Sequence, residues 1–179
     1  GAATGLITTE GFRDVLLIGR QKRYETYDLY IDKPKPLVQR RHIAEVRERV
    51  AADGSVVTAL DMASVDRAID ALLAAGRESI SVALLHAYAN PDHERRIAHR
   101  IRQRAPGMAL SLSSDVSPKF REYERTSTTV TNAYVMPIVD RYLKHLEATL
   151  AEIGCRDRLL IMQSNAGLAS PGMARDFPV

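Results

Sequence analysis

The sequence predicts an α/β domain in which a mostly parallel sheet is layered between helices. Short apolar runs alternate with longer amphipathic segments along the 179 residues, as strands alternate with helices. Apolar residues recur at helical spacing in three segments, 64–75, 91–104 and 135–153. A strand followed by a helix and another strand needs a crossover, and crossovers favour parallel pairing.

The first third of the chain predicts one strand, a short helix, a loop and a hairpin. The strand is expected at 4–8 and the helical face at 12–18. A loop is expected over 24–36, which contains two prolines. The segment 37–58 suits either a bent strand or a helix, but the Asp53-Gly54 turn favours a hairpin.

The middle third predicts a helix, a buried strand and a second helix. Ser64 is a candidate N-cap of the first helix and Gly76 its stop signal. The run 80–85 is apolar enough for a strand that is buried on both faces. Asn90 can accept hydrogen bonds from the free amides of a helix that begins at Pro91.

The last third predicts a strand at 108–112, the long helix 135–153 and a final strand at 159–162. The long helix has an apolar stripe and ends at Gly154. If the final strand is a parallel neighbour of the earlier ones, the polar residues after it lie beside the ends of those strands.

The composition excludes several classes of protein. The chain is 45% hydrophobic and 26% charged, which is typical of a globular domain. Its apolar runs are far shorter than the roughly 20 residues of a membrane helix, so no membrane partner is expected. The N-terminal residues do not resemble a secretory signal, and the single cysteine, Cys155, fits a reducing compartment. We therefore expect a cytoplasmic location.

The charge pattern does not favour a nucleic-acid partner. The chain has 25 basic and 22 acidic residues, so its net charge is only +3. Basic residues concentrate in the segment 95–104, where Ile97 and Ile101 provide the apolar side of a helix. The arginines of this segment are therefore interpreted as the solvated face of an amphipathic helix.

Polar residues follow three of the predicted strands, at the points where each strand ends. They are His86, the set 113–115 and the set 163–167. If the three strands are parallel neighbours, these residues meet at one edge of the sheet, where α/β proteins bind ligands. The alternative is that they are ordinary polar turn residues.

No metal or nucleotide motif is present in the sequence. Asp92, His93 and Glu94 are adjacent, but consecutive helical residues point about 100° apart and do not converge on one ion. Carboxylates at a helix start are explained by the positive helix end. The polar run 121–129 is either an exposed helix start or a wall of a polar cleft.

The sequences of five segments resemble the hydantoinase A/5-oxoprolinase family. The segments occur in that family's order and span nearly the whole chain. The segments are LITTEGFRDV with IGRQ (6–21), LHAYANPDHE (85–94), LSSDV with REYER (112–125), NAYV (132–135) and IMQSN (161–165). Ala87 and Ala166 depart from the family pattern, which commonly has serine and glycine there. Either change can alter a loop or a substrate contact.

The resemblance implies an actin- and sugar-kinase-like (ribonuclease H-like) ATPase architecture, of which this chain is an internal part. Residues 1–130 would be the later part of the family's N-terminal domain and residues 131–179 the beginning of its central domain. The glycine-rich phosphate turns of the fold would lie outside this chain, so no cofactor and no ATP binding are expected of the chain by itself. ATP and a divalent metal such as Mg²⁺ are expected for the parent protein.

The resemblance further implies an ATP-dependent hydrolase of cyclic amides of the hydantoin, N-methylhydantoin or 5-oxoproline type. Its expected partners are a small cyclic amide, the remaining domains of the parent chain and a hydantoinase B-like subunit. Four residues are predicted as polar contacts in the substrate cleft: His86, Arg121, Glu122 and Asn165. The alternatives are a subunit of a related ketone carboxylase and a non-catalytic interaction module of a multi-subunit assembly.

Overall fold

The computed structural model describes residues 1–20, 27–28, 30, 34–155, 157–163 and 167–179. The strands are β1 (Thr4–Thr9), β2 (Ile43–Val46), β3 (Arg49–Val50), β4 (Val56–Thr58), β5 (Ser79–Ala83), β6 (Ala109–Leu112), β7 (Ile161–Met162) and β8 (Leu168–Ala169). The helices are α1 (Val15–Ile18), α2 (Met62–Ala74), α3 (Asp92–Arg104), α4 (Ser113–Val116), α5 (Glu122–Glu152) and α6 (Pro171–Asp176).

Four strands form a parallel sheet in the order β2-β1-β5-β6. The register places Leu6 of β1 between Ile43 of β2 and Ser81 of β5. β2 is added on one side of β1, whereas β5 and β6 extend the sheet on the other side. The direction of winding therefore reverses between β1 and β5.

Helices cover both faces of this sheet, so the predicted layered α/β fold is confirmed. On one face, the apolar side chains of α2 and α3 pack on alternate strand residues. Buried members of this core are Ile7, Val65, Ile69, Leu72, Ile80, Val82, Ile97 and Ile101. On the other face, Val130 of α5 and Leu16 of α1 pack with Leu6, Ile43 and Ala83.

The helix α5 is longer than the sequence predicts. Its expected start was near residue 135, but it begins at Glu122 and runs for 31 residues through Pro137. The missed part has few apolar residues because threonines replace them, and Thr128, Thr129 and Thr131 each donate a hydrogen bond to the carbonyl four residues earlier. The predicted boundary at residue 130 falls inside this helix, and the division into two domains stays a prediction.

The segment 37–58 combines two kinds of strand. β2 joins the parallel sheet, and only β3 and β4 form the predicted hairpin. The last predicted strand was placed wrongly. β7 pairs antiparallel with β8 in a separate two-stranded sheet, because the C-terminal half of α5 leads the chain to a second cluster around Leu143, Ala169 and Ala174.

The helix ends follow local hydrogen-bonding rules, with one correction. Asp61, and not Ser64, caps α2: its carboxylate accepts from the Ala63 amide at 3.0 Å. The Ser64 hydroxyl instead donates to the Asp61 carbonyl at 2.6 Å. Asn90 accepts from the Asp92 amide at 3.1 Å, as predicted for the start of α3. None of the helices within the described ranges is long and apolar enough to cross a membrane.

We expect the contact between α2 and the sheet to dominate the stability of this layer. Ile69→Ala should lower the free energy of unfolding by about 2–5 kcal/mol, because Ile69 is fully buried and alanine leaves a cavity. Arg67→Ala, on the exposed side of the same helix, should change it by less than about 0.5 kcal/mol. Urea unfolding of the 179-residue chain measures both. Equal effects of the two substitutions would contradict the packing described here.

Candidate functional site

The four parallel strands end at one side of the sheet, which we call the carboxyl edge. It consists of the residues that directly follow β1, β2, β5 and β6, namely 10–12, 47–50, 84–88 and 113–117. Open α/β sheets bind ligands at this side, at the position where the strand order reverses. Here that position lies between the ends of β1 and β5.

Glu94 binds the ends of β5 and β6 together. It lies in the first turn of α3, is fully buried, and points into the sheet rather than to solvent. Its Oε1 accepts from the Leu84 amide at 2.9 Å and from the Ser113 hydroxyl at 2.7 Å. Its Oε2 accepts from the Ser114 amide at 2.9 Å. One carboxylate therefore fixes two strand ends.

Arg125 approaches the same strand ends from α5, on the other face of the sheet. Its side chain is buried and donates from Nη2 to the Leu84 carbonyl at 3.0 Å and from Nη1 to the Lys119 carbonyl at 2.6 Å. Its Nε donates to the Ser113 hydroxyl at 3.2 Å. The guanidinium also lies 5.5 Å from the centre of the Tyr88 ring. The two backbone groups of Leu84 are thus satisfied by two buried charged side chains.

A second buried chain of hydrogen bonds fixes the end of β1. The Leu85 amide donates to the Thr9 hydroxyl at 2.9 Å, and that hydroxyl donates to Glu48 Oε1. His93 Nδ1 donates to Glu48 Oε2 at 2.8 Å. Glu48 and His93 are both nearly inaccessible to solvent. Segments that follow β1, β2 and β5 are therefore connected through one carboxylate.

His86 is held in an unusual backbone conformation at the end of β5. Its φ is +57°, the only positive value of a non-glycine residue in the described part of the chain. This left-handed conformation costs roughly 1–2 kcal/mol for a residue with a Cβ atom. Such strain persists when the surroundings determine the backbone, and it concentrates at functional sites.

The His86 ring presents one free nitrogen at the carboxyl edge. Its Nδ1 is 2.7 Å from the Val50 carbonyl, which can only accept, so Nδ1 carries the hydrogen. The neutral ring then has a lone pair on Nε2, and within the described residues no donor binds it. The Tyr88 ring contacts the imidazole edge-on, with the two centres 6.0 Å apart. His86 can accept a hydrogen bond from a ligand.

Burial opposes the charges of the two central side chains. It raises the pKa of the Glu94 carboxyl above its ordinary value, although the three hydrogen bonds that the carboxylate accepts act in the opposite direction. Burial likewise lowers the pKa of the Arg125 guanidinium, and the nearby Glu94 partly offsets that effect. Both groups are closed off from solvent, which suits positioning more than contact with a substrate.

The predicted site residues are only partly brought together. His86 lies at the carboxyl edge, and Glu122, at the start of α5, lines a small depression with Phe12, Leu85 and Arg125. Arg121 is exposed, with its guanidinium 5.6 Å from the centre of the Phe120 ring. Asn165 lies outside the described residues.

Two of the three predicted polar sets meet. Ser113 and Ser114 are joined to the end of β5 through Glu94, as expected for neighbouring parallel strands. The described part of the third set does not join them, because β7 belongs to the separate hairpin and the Gln163 amide donates to the Gly167 carbonyl beside β8.

Sequence reasoning missed the buried residues of the site. Glu94 and His93 were interpreted as helix-start residues, and Arg125 was one of several charges in a polar run. The available signal for His93 and Glu94 was their position in the first turn of the helix that follows the buried strand β5. There a side chain can reach back to the strand end.

A groove of about 760 Å³ lies elsewhere, between α1, α5 and residues 34–37. Its charged lining residues include Arg20 and Glu124, which form an ion pair with each other. Arg20 and Pro34, which line the groove, flank the segment 21–33, most of which lies outside the described residues.

Three backbone amides at the carboxyl edge donate within the chain, so they are not available to the oxygens of a phosphate. The Gly11 amide binds Glu45 at 2.8 Å, the Glu10 amide binds the Val46 carbonyl at 3.0 Å, and the Ser114 amide binds Glu94. The described residues also contain no group of three or more acidic, histidine or cysteine side chains placed to hold a metal.

Glu94 gives a pH-dependent prediction. Its pKa is higher in the folded chain than in the unfolded chain, where it is about 4.3. The folded chain therefore binds more protons between these two pKa values, and the free energy of unfolding falls as the pH rises through that range. The Glu94→Gln variant has no titratable group at this position, so this contribution to the pH dependence of its free energy of unfolding is absent.

We expect the stability of the wild type relative to Glu94→Gln to be greatest below about pH 4 and to decrease towards neutral pH. Urea unfolding of both chains between pH 4 and pH 7 measures the difference. Glu10→Gln, at an exposed position of the same edge, is the matched control. A difference that grows with pH would show that the donors around Glu94 outweigh its burial.

Two solved enzymes share this architecture. The crystal structure of the ATP-dependent caprolactamase from Pseudomonas jessenii matches 96% of the chain with a TM-score of 0.89 at 33% identity, and the match covers 25% of that protein. The nucleotide-free structure of acetone carboxylase, from a study of ATP-dependent acetone carboxylation, matches 98% of the chain with a TM-score of 0.81 at 27% identity. That match covers 27% of the carboxylase chain.

Sequence relatives lead to the same group of enzymes. The caprolactamase alpha subunit of P. jessenii is 34% identical over 175 residues, which is 97% of this chain and 25% of the relative. The 5-oxoprolinase of Saccharomyces cerevisiae is 33% identical over 199 aligned positions, which is 96% of this chain and 15% of the relative. The chain thus spans a quarter or less of the length of these relatives.

Two family models match adjacent parts of the chain. The model of the hydantoinase/oxoprolinase N-terminal region matches residues 1–105, which is more than half of the chain. The hydantoinase/oxoprolinase model matches residues 125–179. Together with the fold and the relatives, these matches show that the chain belongs to the hydantoinase/oxoprolinase family.

Proposed function

We propose that this chain is part of an ATP-dependent hydrolase that opens the ring of a cyclic amide, and that it contributes scaffold and one side of the substrate cleft. The observation that carries the proposal is the match to the ATP-dependent caprolactamase, at a TM-score of 0.89 over 96% of the chain.

The chemistry of the carboxyl edge suits a neutral ring with an N–H group. His86 Nε2 has a lone pair and its imidazole is fixed by the bond to Val50, so it can accept a hydrogen bond from the ring N–H. The Tyr88 ring beside His86 offers an apolar surface to the substrate ring. Arg121, Glu122 and Asn165 complete the proposed set of polar cleft contacts.

The nucleotide belongs to other parts of the parent protein in this proposal. ATP with a divalent metal such as Mg²⁺ would activate the substrate. The loops that bind the ATP would lie outside residues 1–179. Residues 1–130 and 131–179 are proposed to belong to two successive domains. A hydantoinase B-like subunit is the proposed protein partner, because the caprolactamase relative is itself one subunit of an enzyme. The proposed location is the cytoplasm.

A ketone carboxylase subunit is the second candidate. It is favoured by the match to acetone carboxylase, at a TM-score of 0.81 over 98% of the chain. We rank it second because the caprolactamase has both the higher TM-score and the higher identity, 33% against 27%. The residues of the carboxyl edge alone do not separate the two reactions.

The full-length protein with its partner subunit decides between these candidates. It should open caprolactam, 5-oxoproline or hydantoin to the linear acid and release phosphate from ATP in proportion. A carboxylase would instead incorporate labelled bicarbonate into acetone or acetophenone. Incorporation of bicarbonate without ring opening would contradict the hydrolase proposal. The absence of both activities would support a non-catalytic interaction module.

His86 provides a prediction at residue level. His86→Asn in the full-length protein should lower kcat/KM for the cyclic amide about tenfold, because a hydrogen bond to the ring N–H is lost. Asparagine is chosen because it tolerates the left-handed backbone that His86 adopts. The N-methylated form of the same ring has no N–H, so wild type and variant should turn it over equally well.

The matched control is His99→Asn, on the exposed side of α3, which should leave both substrates unaffected. Thermal unfolding of each variant checks the fold. Equal losses with the normal and the N-methylated ring would mean that His86 does not bind the ring N–H.

A further inference from the structure

Arg49 lies at the carboxyl edge on a rigidly held segment. It belongs to β3, and its two neighbours are both fixed by buried bonds. Glu48 accepts from Thr9 and from His93, and the Val50 carbonyl accepts from His86 at 2.7 Å. The backbone around Arg49 is therefore as well determined as the core.

The Arg49 side chain is held by stacking and not by an acid. Its guanidinium lies 4.9 Å from the centre of the Phe12 ring, which fixes its plane. Phe12 also lines the small depression at the end of β5, together with Leu85 and Glu122. Phe12 therefore connects the Arg49 guanidinium with this depression.

Arg49 has an unused donor. Its Nη1 is shielded from solvent and has no hydrogen-bond partner. Within the described residues its guanidinium forms no ion pair, whereas Arg125 uses three donors and Arg100 binds Asp66 with two. Burying an unpaired donor of a cation costs free energy, so such a group indicates a missing acceptor.

The unused groups of Arg49 and His86 are complementary to one chemical unit. A cyclic amide carries a carbonyl oxygen, which accepts, next to an N–H, which donates. Arg49 offers a donor and His86 Nε2 offers an acceptor, and the Val50 bond ties the two residues together. A guanidinium can also stabilise negative charge that develops on the carbonyl oxygen during attack on the ring.

We propose that Arg49 is a further substrate-binding residue, whose Nη1 donates a hydrogen bond to the carbonyl oxygen of the cyclic amide. This inference rests on the proposed hydrolase function and adds the residue that recognises the oxygen. Together Arg49 and His86 orient the amide plane at the end of β5, with Phe12 fixing the guanidinium.

The test uses the full-length protein and three substitutions of Arg49. Arg49→Met keeps much of the volume and the contact with Phe12 but removes the donor, and should raise KM for the lactam at least about tenfold. Arg49→Lys should be intermediate, because lysine keeps a charge but not the planar group. Arg49→Gln gives a second uncharged variant, so that the result stands if the methionine variant folds poorly.

Arg67→Met is the control, because Arg67 is an exposed arginine on α2, outside the carboxyl edge. It should leave KM unchanged. Calorimetric titration of the lactam onto each variant measures binding apart from turnover, and should show the same weakening as KM. Thermal unfolding confirms that each variant is folded.

The possible failures are distinguishable. If the wild type opens the ring and Arg49→Met and Arg49→Gln stay within about twofold of its KM, the role of Arg49 is wrong and the hydrolase proposal stands. If the loss occurs with 5-oxoproline but not with 2-pyrrolidinone, Arg49 binds the carboxylate and the assignment to the carbonyl oxygen is wrong. If the wild type opens no cyclic amide, both proposals fail.

Discussion

The carboxyl edge depends on the hydrogen bonds between the backbone of Leu84 and two buried charged side chains. The Leu84 amide donates to Glu94 from one face of the sheet and the Leu84 carbonyl accepts from Arg125 on the other face. The chain leaves the sheet directly after this residue and enters the turn that contains His86. Removing Glu94 would leave the buried Leu84 amide without its acceptor, and removing Arg125 would leave the Leu84 carbonyl with only the longer bond from the Ala87 amide at 3.4 Å. Either loss is more costly than the loss of a surface pair.

This arrangement explains how a strained residue can be stable. The left-handed His86 follows Leu84 by two positions, and its ring and carbonyl are both bonded, to Val50 and to the Ala89 amide at 2.9 Å. Contacts from α3, α5 and β3 together therefore offset the free-energy cost of the left-handed conformation of His86. A cleft contact that is fixed in advance loses little entropy when it binds a small ring.

The sequence predicts the layered fold because local apolar spacing determines which residues face the core. The strands β1, β5 and β6 and the helices α2 and α3 were predicted on this basis, and the family resemblance was confirmed. The pairing of β7 could not be predicted, because it depends on where α5 ends in space. In the site, His86 follows from its place after a strand. Glu94, Arg125 and Arg49 do not, since Glu94 and Arg125 bind Leu84 from 10 and 41 positions away and the Arg49 Nη1 has no partner within the described residues.

The structure of the full-length protein with ATP and a bound lactam tests the central claim most directly. The claim is that the substrate's ring amide binds at the carboxyl edge, between β1 and β5. We predict that the ring N–H lies within hydrogen-bond distance of His86 Nε2, with Glu94 and Arg125 still bound to Leu84. A lactam bound outside this edge, for example against the exposed side of α3, would contradict the account.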